Sequence, residues 1–225
     1  MSTVTLINHM GTDDSVVDAA RVSFNKMAKV YTPEQNQKLL NFLAKHGHWS
    51  PFAHTSLSFR IEAPIFVARQ LAKHQVGFAW NEVSRRYVDY EPTLWNPAGI
   101  WRGRSKDAKQ GSLNEPMEDD TYITQIYDVS VRQAMASYGH LLSLGVCPEQ
   151  ARAVLPQAIN TEWIWTGSLY GFHRVCCLRL HATAQEETKA VARDIFIECA
   201  HLFPKAWAAL ERAIPKTEVI TEVLT

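Results

Sequence analysis

The sequence predicts an α+β protein, a mainly antiparallel sheet flanked by helices, and three observations predict it. Two segments, His54 to Glu62 and Ile159 to Trp165, alternate apolar and polar residues as half-buried strands do. Several longer segments repeat apolar residues at helical spacing. The two kinds of element do not follow one another as regular βαβ units, which argues against a parallel sheet. A single domain over residues 1–225 is expected.

In chain order, Val4, Leu6 and Ile7 open an apolar-alternating stretch, and DDSVVDAARVSF follows as an Ala-rich helix with an Asp or Ser cap. Thr32 before Pro33 and Glu34 marks a second helix start, with Leu39, Leu40, Phe42 and Leu43 as its buried face up to Gly47. The strand from His54 to Glu62 puts Leu57, Phe59 and Ile61 on one side. Pro64 starts the helix IFVARQLAKH, with Ile65, Phe66 and Leu71 facing a core and Arg69 and Lys73 sharing another face. After Gly77, FAWNEVSRRYVDY is rich in aromatic and β-branched residues and reads as extended. Residues 91 to 119 hold Pro92, Pro97, Gly99, Gly103, Gly111 and Pro116, and read as one long loop. A helix from Asp120 to Gly145 carries Ile123, Ile126, Val131, Met135, Tyr138 and Leu142. PEQARAVLP is a short helix, INTEWIW a second strand, and Gly167 to Leu210 is helical, with Val191, Ile195, Cys199 and Leu202 on one stripe.

Charge excludes whole classes of function. Lys and Arg number 23, Asp and Glu 23, and the net charge is zero, with 46% of residues apolar. A scaffold for nucleic acid, driven by phosphate neutralisation, carries a basic excess, and a disordered chain couples low hydrophobicity to high net charge. No run approaches the roughly 20 apolar residues of a membrane span, and MSTVTLINHMGTDD lacks the basic and apolar regions of a secretory signal. Cys147, Cys176, Cys177 and Cys199 show no metal-type C-x-x-C pairing and read as buried small hydrophobes. A cytoplasmic location is the expectation.

Three segments hold more polar chemistry than packing requires: GHWSPFAH, RQLAKHQVGFAWNEVSRRY, and the run from ARAVLP through WTGSLYGFHRVCCLRLHA. The second gathers Arg69, Gln70, Lys73, His74, Gln75, Asn81, Glu82, Ser84, Arg85, Arg86 and Tyr87. Cationic forks, amides and a hydroxyl suit an anionic ligand with a polar ring, though a solvated helix followed by a charged edge strand has the same composition. In the third, Arg152, Arg174 and Arg179 share residues 151 to 182 with one acid, Glu162, so local ion pairs cannot serve all three. His46, His48 and His54 have metal-like spacing without an accompanying carboxylate or cysteine cluster, and no metal site is expected. No glycine-rich phosphate loop or nucleophile elbow is present. Cys176 and Cys177 lie near His173 and Arg174, but on a Leu-rich helix they make poor nucleophiles.

The stretch APIFVARQ, a basic residue and His74, followed by NEVSRRY, resembles the signature of the flavin-dependent thymidylate synthases, the ThyX family. AARVSF, GHWSPFAH, ARAVLP and CLRLHATAQ lie in that family's order, so the resemblance covers roughly residues 15 to 210. It implies a ThyX-like fold and a homotetramer with active sites between subunits. It also implies an enzyme, a methyltransferase converting dUMP to dTMP with methylenetetrahydrofolate as carbon donor, FAD as cofactor and NADPH as reductant.

Position by position, the resemblance places the essential arginine near the uracil ring at Arg179, stabilising the N3-deprotonated ring. It puts nucleotide contacts at Gln70, Lys73, Glu82, Ser84, Arg85, Arg86, Arg152 and Arg179. Flavin contacts fall on Ser50, Lys73, His74, Gln75, Glu82, Ser168, Tyr170 and Arg174, with His48 near the flavin or folate. The chain departs from the family pattern where Arg-His-Arg is Lys73-His74-Gln75, and where eight residues separate Gln75 from Ser84, implying a bulge or longer turn at Gly77. Ala53 stands for a usual acid, and Ser168 and Tyr170 for an Asn and an Arg. These changes keep open a flavin-dependent nucleotide hydroxymethylase, or a flavin- or nucleotide-binding protein without turnover. Four Lys or Arg against two acids in residues 65 to 90, and three against one in 151 to 182, concentrate a charge of +4 in the two motif segments.

Overall fold

Alternation carries the sheet. In β2 (Ser56–Pro64) Leu57, Phe59 and Ile61 are fully buried, and in β6 (Asn160–Gly167) Thr161, Trp163 and Trp165 point inward while Ile164 is exposed. With β1 (Thr3–Met10) and β3 (Phe78–Glu82) they form a four-stranded sheet in the order β1-β2-β6-β3. The computed structural model describes residues 2–97, 101–105, 111–118 and 120–214. Its helices are α1 (Asp13–Arg21), α2 (Pro33–Lys45), α3 (Ile65–Leu71), α4 (Asp120–Ser143), α5 (Pro148–Ala151), α6 (Leu169–Arg179), α7 (Glu186–Leu202) and α8 (Pro204–Ala213). The mixture of helices and antiparallel sheet is the α+β class that the sequence predicts.

The chain packs as two compact units. One is built on Ile61–Lys73 and Asn81–Trp163; the other comprises Val4–Arg60, His74–Trp80 and the chain from Ile164. In the second, α2 packs on α8 and α6 on α7. The start of α8 is closed by Asp13, whose carboxylate accepts from the backbone N–H groups of Lys205 (3.1 Å) and Ala206 (2.8 Å). The core of this unit is aromatic: Trp165 lies 4.9 Å from Phe78 and 5.3 Å from Phe172, and Phe172 5.0 Å from Phe59. The Phe78 ring occupies the space beside Gly167 and Gly171, where an added Cβ would meet it at 2.3 Å and 2.9 Å.

Several boundaries differ from those the sequence suggests. The cap of α1 is Thr12, whose N–H donates to Ser15 Oγ at 3.0 Å, so the acids that follow occupy the first turn. Phe42 is 53% exposed, not buried, because it lies against His46 and His48, 4.4 Å and 5.9 Å away. In α3 the fully buried face is Val67, Ala68 and Leu71, with Ile65 and Phe66 half-buried, and the helix stops at Leu71 before the basic residue and His74. Ile126 is exposed on α4, and Leu202 is half-buried at the end of α7. The extended stretch after Gly77 ends at Glu82, then turns, with Tyr87 N–H donating to Ser84 O at 3.0 Å.

The segment read as one loop contains a hairpin, β4 (Arg102–Arg104) against β5 (Ser112–Pro116), with Arg102 opposite Pro116. Leu94 also bridges antiparallel to Ile159. Lys106 and Lys109, the remaining basic residues of this segment, lie outside the described residues. Of the cysteines, Cys176 and Cys199 are buried as expected, but Cys147 is exposed and Cys177 half-buried, because each falls where its element meets solvent.

Replacing Gly167 with Ala should destabilise the protein by about 1–3 kcal/mol through overpacking against Phe78. Urea unfolding of the variant beside the parent checks this; an unchanged midpoint would show that the ring yields without cost.

Candidate active site

In the first unit the site grows from the end of β3. Pairing continues one residue past the strand, with Val83 N–H donating to Glu162 O at 2.9 Å, and the chain then turns at Ser84. Glu82 Oε1 accepts from Thr161 Oγ1 at 2.8 Å, so the inward-facing threonine of β6 holds the carboxylate. Arg85 folds back, its Nη1 donating to Tyr90 O at 2.5 Å and its guanidinium 4.5 Å from the centre of the Tyr90 ring. Ser84 Oγ accepts from Arg86 N–H at 3.3 Å, and Arg86 reaches Glu149 Oε2 through Nε and Nη2, each at 2.9 Å. Arg152, on the turn after α5, donates from Nε to Glu149 O at 3.2 Å.

Glu82, Ser84, Arg85 and Arg152 line one cavity of about 370 Å³, with Ile65, Val83, Leu155, Ile159 and Thr161. Two guanidinium groups, a hydroxyl and an oriented carboxylate on an aliphatic floor suit a small anion with an uncharged polar ring. Of the other predicted nucleotide residues, Gln70 is half-buried on α3 and Lys73 exposed just beyond it; Arg86 is turned to Glu149, and none of the three lines this cavity.

In the second unit the turn ahead of β3 is set by Gly77, at φ +79°, with Phe78 N–H donating to Gln75 O at 3.2 Å. It leaves His74 6.3 Å from the Trp165 ring, where its Nε2 accepts from Arg179 Nε at 3.0 Å. Burial, then the charges of Arg179 and Arg174, push the His74 pKa down to about 4, so the ring is neutral at physiological pH. With Nε2 accepting, its proton is assigned to Nδ1. Burial also lowers the pKa of Arg179.

A second cavity, of about 340 Å³, opens beside α6. Tyr170 and Arg174 line it together with His48, Trp49, Phe52, His173 and Cys177. Its aromatic walls and the exposed Arg174 guanidinium suit a ring system that carries an anion, so the residues present fit a flavin. The other predicted flavin residues are placed differently. Ser168 caps α6, its Oγ accepting from Gly171 N–H at 3.1 Å; Ser50 opens the 3-10 turn Ser50–His54, and the Gln75 side chain is exposed.

Burial raises the Cys176 thiol pKa well above normal, which argues against Cys176 as a nucleophile. Cys177 Sγ lies 3.7 Å and 3.8 Å from the two ring nitrogens of His173, whose Nε2 lies 2.9 Å from Glu211 Oε1. No group of three His, Cys, Asp or Glu among the described residues is placed to hold a metal ion. The supporting roles of Thr161, Glu149, Tyr90 and Trp165 were not singled out from sequence. The inward phase of β6 was the one available signal, and it marks Thr161 and Trp165 only as buried.

Comparison with known proteins gives this arrangement a class. The profile of the thymidylate synthase complementing protein family matches residues 5–205, and the chain belongs to that family. Among similar curated proteins, the flavin-dependent thymidylate synthase of Treponema denticola is 34% identical over 212 residues, covering 93% of this chain and 79% of that one. The Thermus thermophilus flavin-dependent thymidylate synthase is 35% identical over 210 residues, covering 92% and 75%. Among solved structures, the UMP/dUMP methylase PolB of Streptomyces cacaoi, bound with 5-Br dUMP, superposes with a TM-score of 0.84 at 26% identity, covering 94% of this chain and 95% of that one.

The depressed pKa of His74 predicts a pH dependence of stability. Between pH about 6.5 and 4 the unfolded chain takes up a proton that the folded ring refuses, so stability falls as pH drops through that window. Urea midpoints measured from pH 7 to 4.5 should decline less steeply in His74→Gln than in the parent.

Proposed function

We propose that the protein methylates dUMP to dTMP, with methylenetetrahydrofolate as carbon donor, FAD as cofactor and NADPH as reductant. The observation that carries this reading is the cavity lined by Glu82, Ser84, Arg85 and Arg152, the family's nucleotide-contact positions, in a chain that matches the family over residues 5–205. Its relatives' names supply the flavin dependence and the nucleotide substrate.

In this reading Arg85, Arg152 and Ser84 bind the nucleotide in the cavity they line, the two cations suiting the phosphate, while Gln70, Lys73 and Arg86, which do not line it, are contacts that only the resemblance implies. Glu82, held by Thr161, orients the nucleotide or the flavin by accepting hydrogen bonds. Arg179 stabilises the N3-deprotonated uracil, a task suited to a fixed guanidinium in a partly desolvated place. Ser50, Lys73, His74, Gln75, Glu82, Ser168, Tyr170 and Arg174 form the flavin set, with His48 close by. Bound, the reduced flavin supplies the hydride that completes the methyl group. No cysteine is required, in accord with the buried Cys176.

Exposed apolar residues support assembly into a homotetramer. Tyr122, Ile126 and Val129 are 65%, 52% and 69% exposed at helical spacing on α4, and Val22, Phe24, Met27 and Val30 are all at least 66% exposed. No described helix is long and apolar enough to cross a membrane, and we take the cytoplasm as the site of action.

The test begins with the absorbance spectrum of the purified protein. Flavin should co-purify or bind, and dUMP, methylenetetrahydrofolate and NADPH without oxygen should give a nucleotide with the mass of dTMP. A hydroxymethylated product would favour the hydroxymethylase, flavin without product the binding protein, and no flavin under any condition would overturn the reading. Arg179→Ala should cut turnover by about 100-fold or more. The double variant Cys176→Ala/Cys177→Ala should stay active, and an inactive but folded, flavin-loaded double variant would restore the nucleophilic mechanism.

A further inference from the structure

Arg85 borders two cavities of the first unit. The larger, of about 370 Å³, is lined by Glu82, Ser84 and Arg152, and the smaller, of about 200 Å³, by Glu62, Tyr90, Glu91 and Thr93, while Val83, Arg85 and Thr161 line both. Arg85 thus stands where the two meet.

The tip of its side chain is turned to the smaller one. Nη1 donates to Tyr90 O at 2.5 Å and the guanidinium lies 4.5 Å from the centre of the Tyr90 ring, and Tyr90 lines the smaller cavity but not the larger. That smaller cavity is a poor place for an anion. Glu62 and Glu91 bring carboxylates to it, and Arg85 is the one basic residue in its described lining. The larger cavity offers Arg152 and the Ser84 hydroxyl, and its one described acid, Glu82, accepts from Thr161. A phosphate that binds beside Arg152 therefore meets an Arg85 whose fork points the other way. An arginine side chain turns about several staggered torsions, and because Arg85 already borders both cavities, its fork can pass from one to the other without a move of the backbone.

We propose that Arg85 is a movable arm of the nucleotide site, parked on Tyr90 and drawn into the larger cavity when a nucleotide phosphate binds there. The inference rests on the reading above that this cavity takes the nucleotide. Tyr90 competes with the phosphate for one guanidinium, so it lowers nucleotide affinity by the fraction of molecules in which the arm is parked. A nucleoside, having no phosphate, is indifferent to the arm.

The test is the binding of dUMP and of deoxyuridine, measured by isothermal titration calorimetry on the purified protein with flavin content and oligomeric state recorded. Tyr90→Leu removes the aromatic face but keeps the backbone carbonyl, and should bind dUMP about threefold more tightly, the scale of an exposed cation–π contact. Tyr90→Phe keeps the face and should match the parent. Arg85→Ala should weaken dUMP binding about tenfold, as for loss of a hydrogen bond to a charged group. In the Arg85→Ala background, Tyr90→Leu should have no effect, since the two act on one contact. Deoxyuridine should bind the parent and every variant alike. Should Tyr90→Leu not fold, Glu91→Gln, which makes the smaller cavity less negative, should tighten dUMP binding only while Arg85 is present.

If Arg85→Ala weakens dUMP binding but Tyr90→Leu, or Glu91→Gln in its place, does not tighten it, or tightens it equally without Arg85, the inference is overturned and the reading of the cavity stands. If Arg85→Ala leaves dUMP binding unchanged, or the parent binds no dUMP, that reading falls and the inference with it.

Discussion

The contact on which the second unit depends is the ring of Phe78 against the bare backbone of Gly167 and Gly171. It joins the first residue of β3, the last of β6 and the first turn of α6 at van der Waals distance, which any side chain at 167 would prevent. Trp165 and Phe172 close around the same ring, making an aromatic core with few soft degrees of freedom. The candidate site residues of this unit lie at its edges. His74 lies just before β3, Tyr170 and Arg174 lie along α6, and Arg179 ends that helix, so the core sets the geometry of the groups around it.

A second constraint is electrostatic. A site for anions must hold cations close together, and cations held together without ligands repel one another and resist burial. The two units hold their arginines by different means. In the first, Arg85 is held by a carbonyl and an aromatic face, Arg152 by a carbonyl, and Arg86 by the carboxylate of Glu149. In the second, Arg179 Nε is held by an imidazole. Carbonyls, rings and imidazoles orient a guanidinium without themselves bringing a negative charge. The net charge of zero over the whole chain conceals this local arrangement.

The sequence was most legible where one periodicity decided the outcome. The alternation in β2 and β6 predicts their buried faces residue by residue, and the stripe Val191, Ile195 and Cys199 is the buried side of α7. It was less legible where a local signal competed with tertiary packing. Phe42 reads as core but lies on exposed histidines, and the hairpin β4–β5 is hidden in a segment whose glycines and prolines read as loop. Strand β3 stops at Glu82 although β-branched and aromatic residues continue, because the Ser84 turn ends the pairing.

By itself the sequence determined the fold class, the two principal strands, the concentration of cations in two segments and the family motifs. All of these are local or additive properties, readable from spacing and composition. Tertiary structure alone decided which partner each charged group takes. That Glu82 is held by Thr161, Arg86 by Glu149 and Arg179 by His74 depends on residues 79, 63 and 105 positions apart. No periodicity spans such separations. Only the closing of the sheet and the packing of α6 on its aromatic core bring His74 within hydrogen-bonding distance of Arg179.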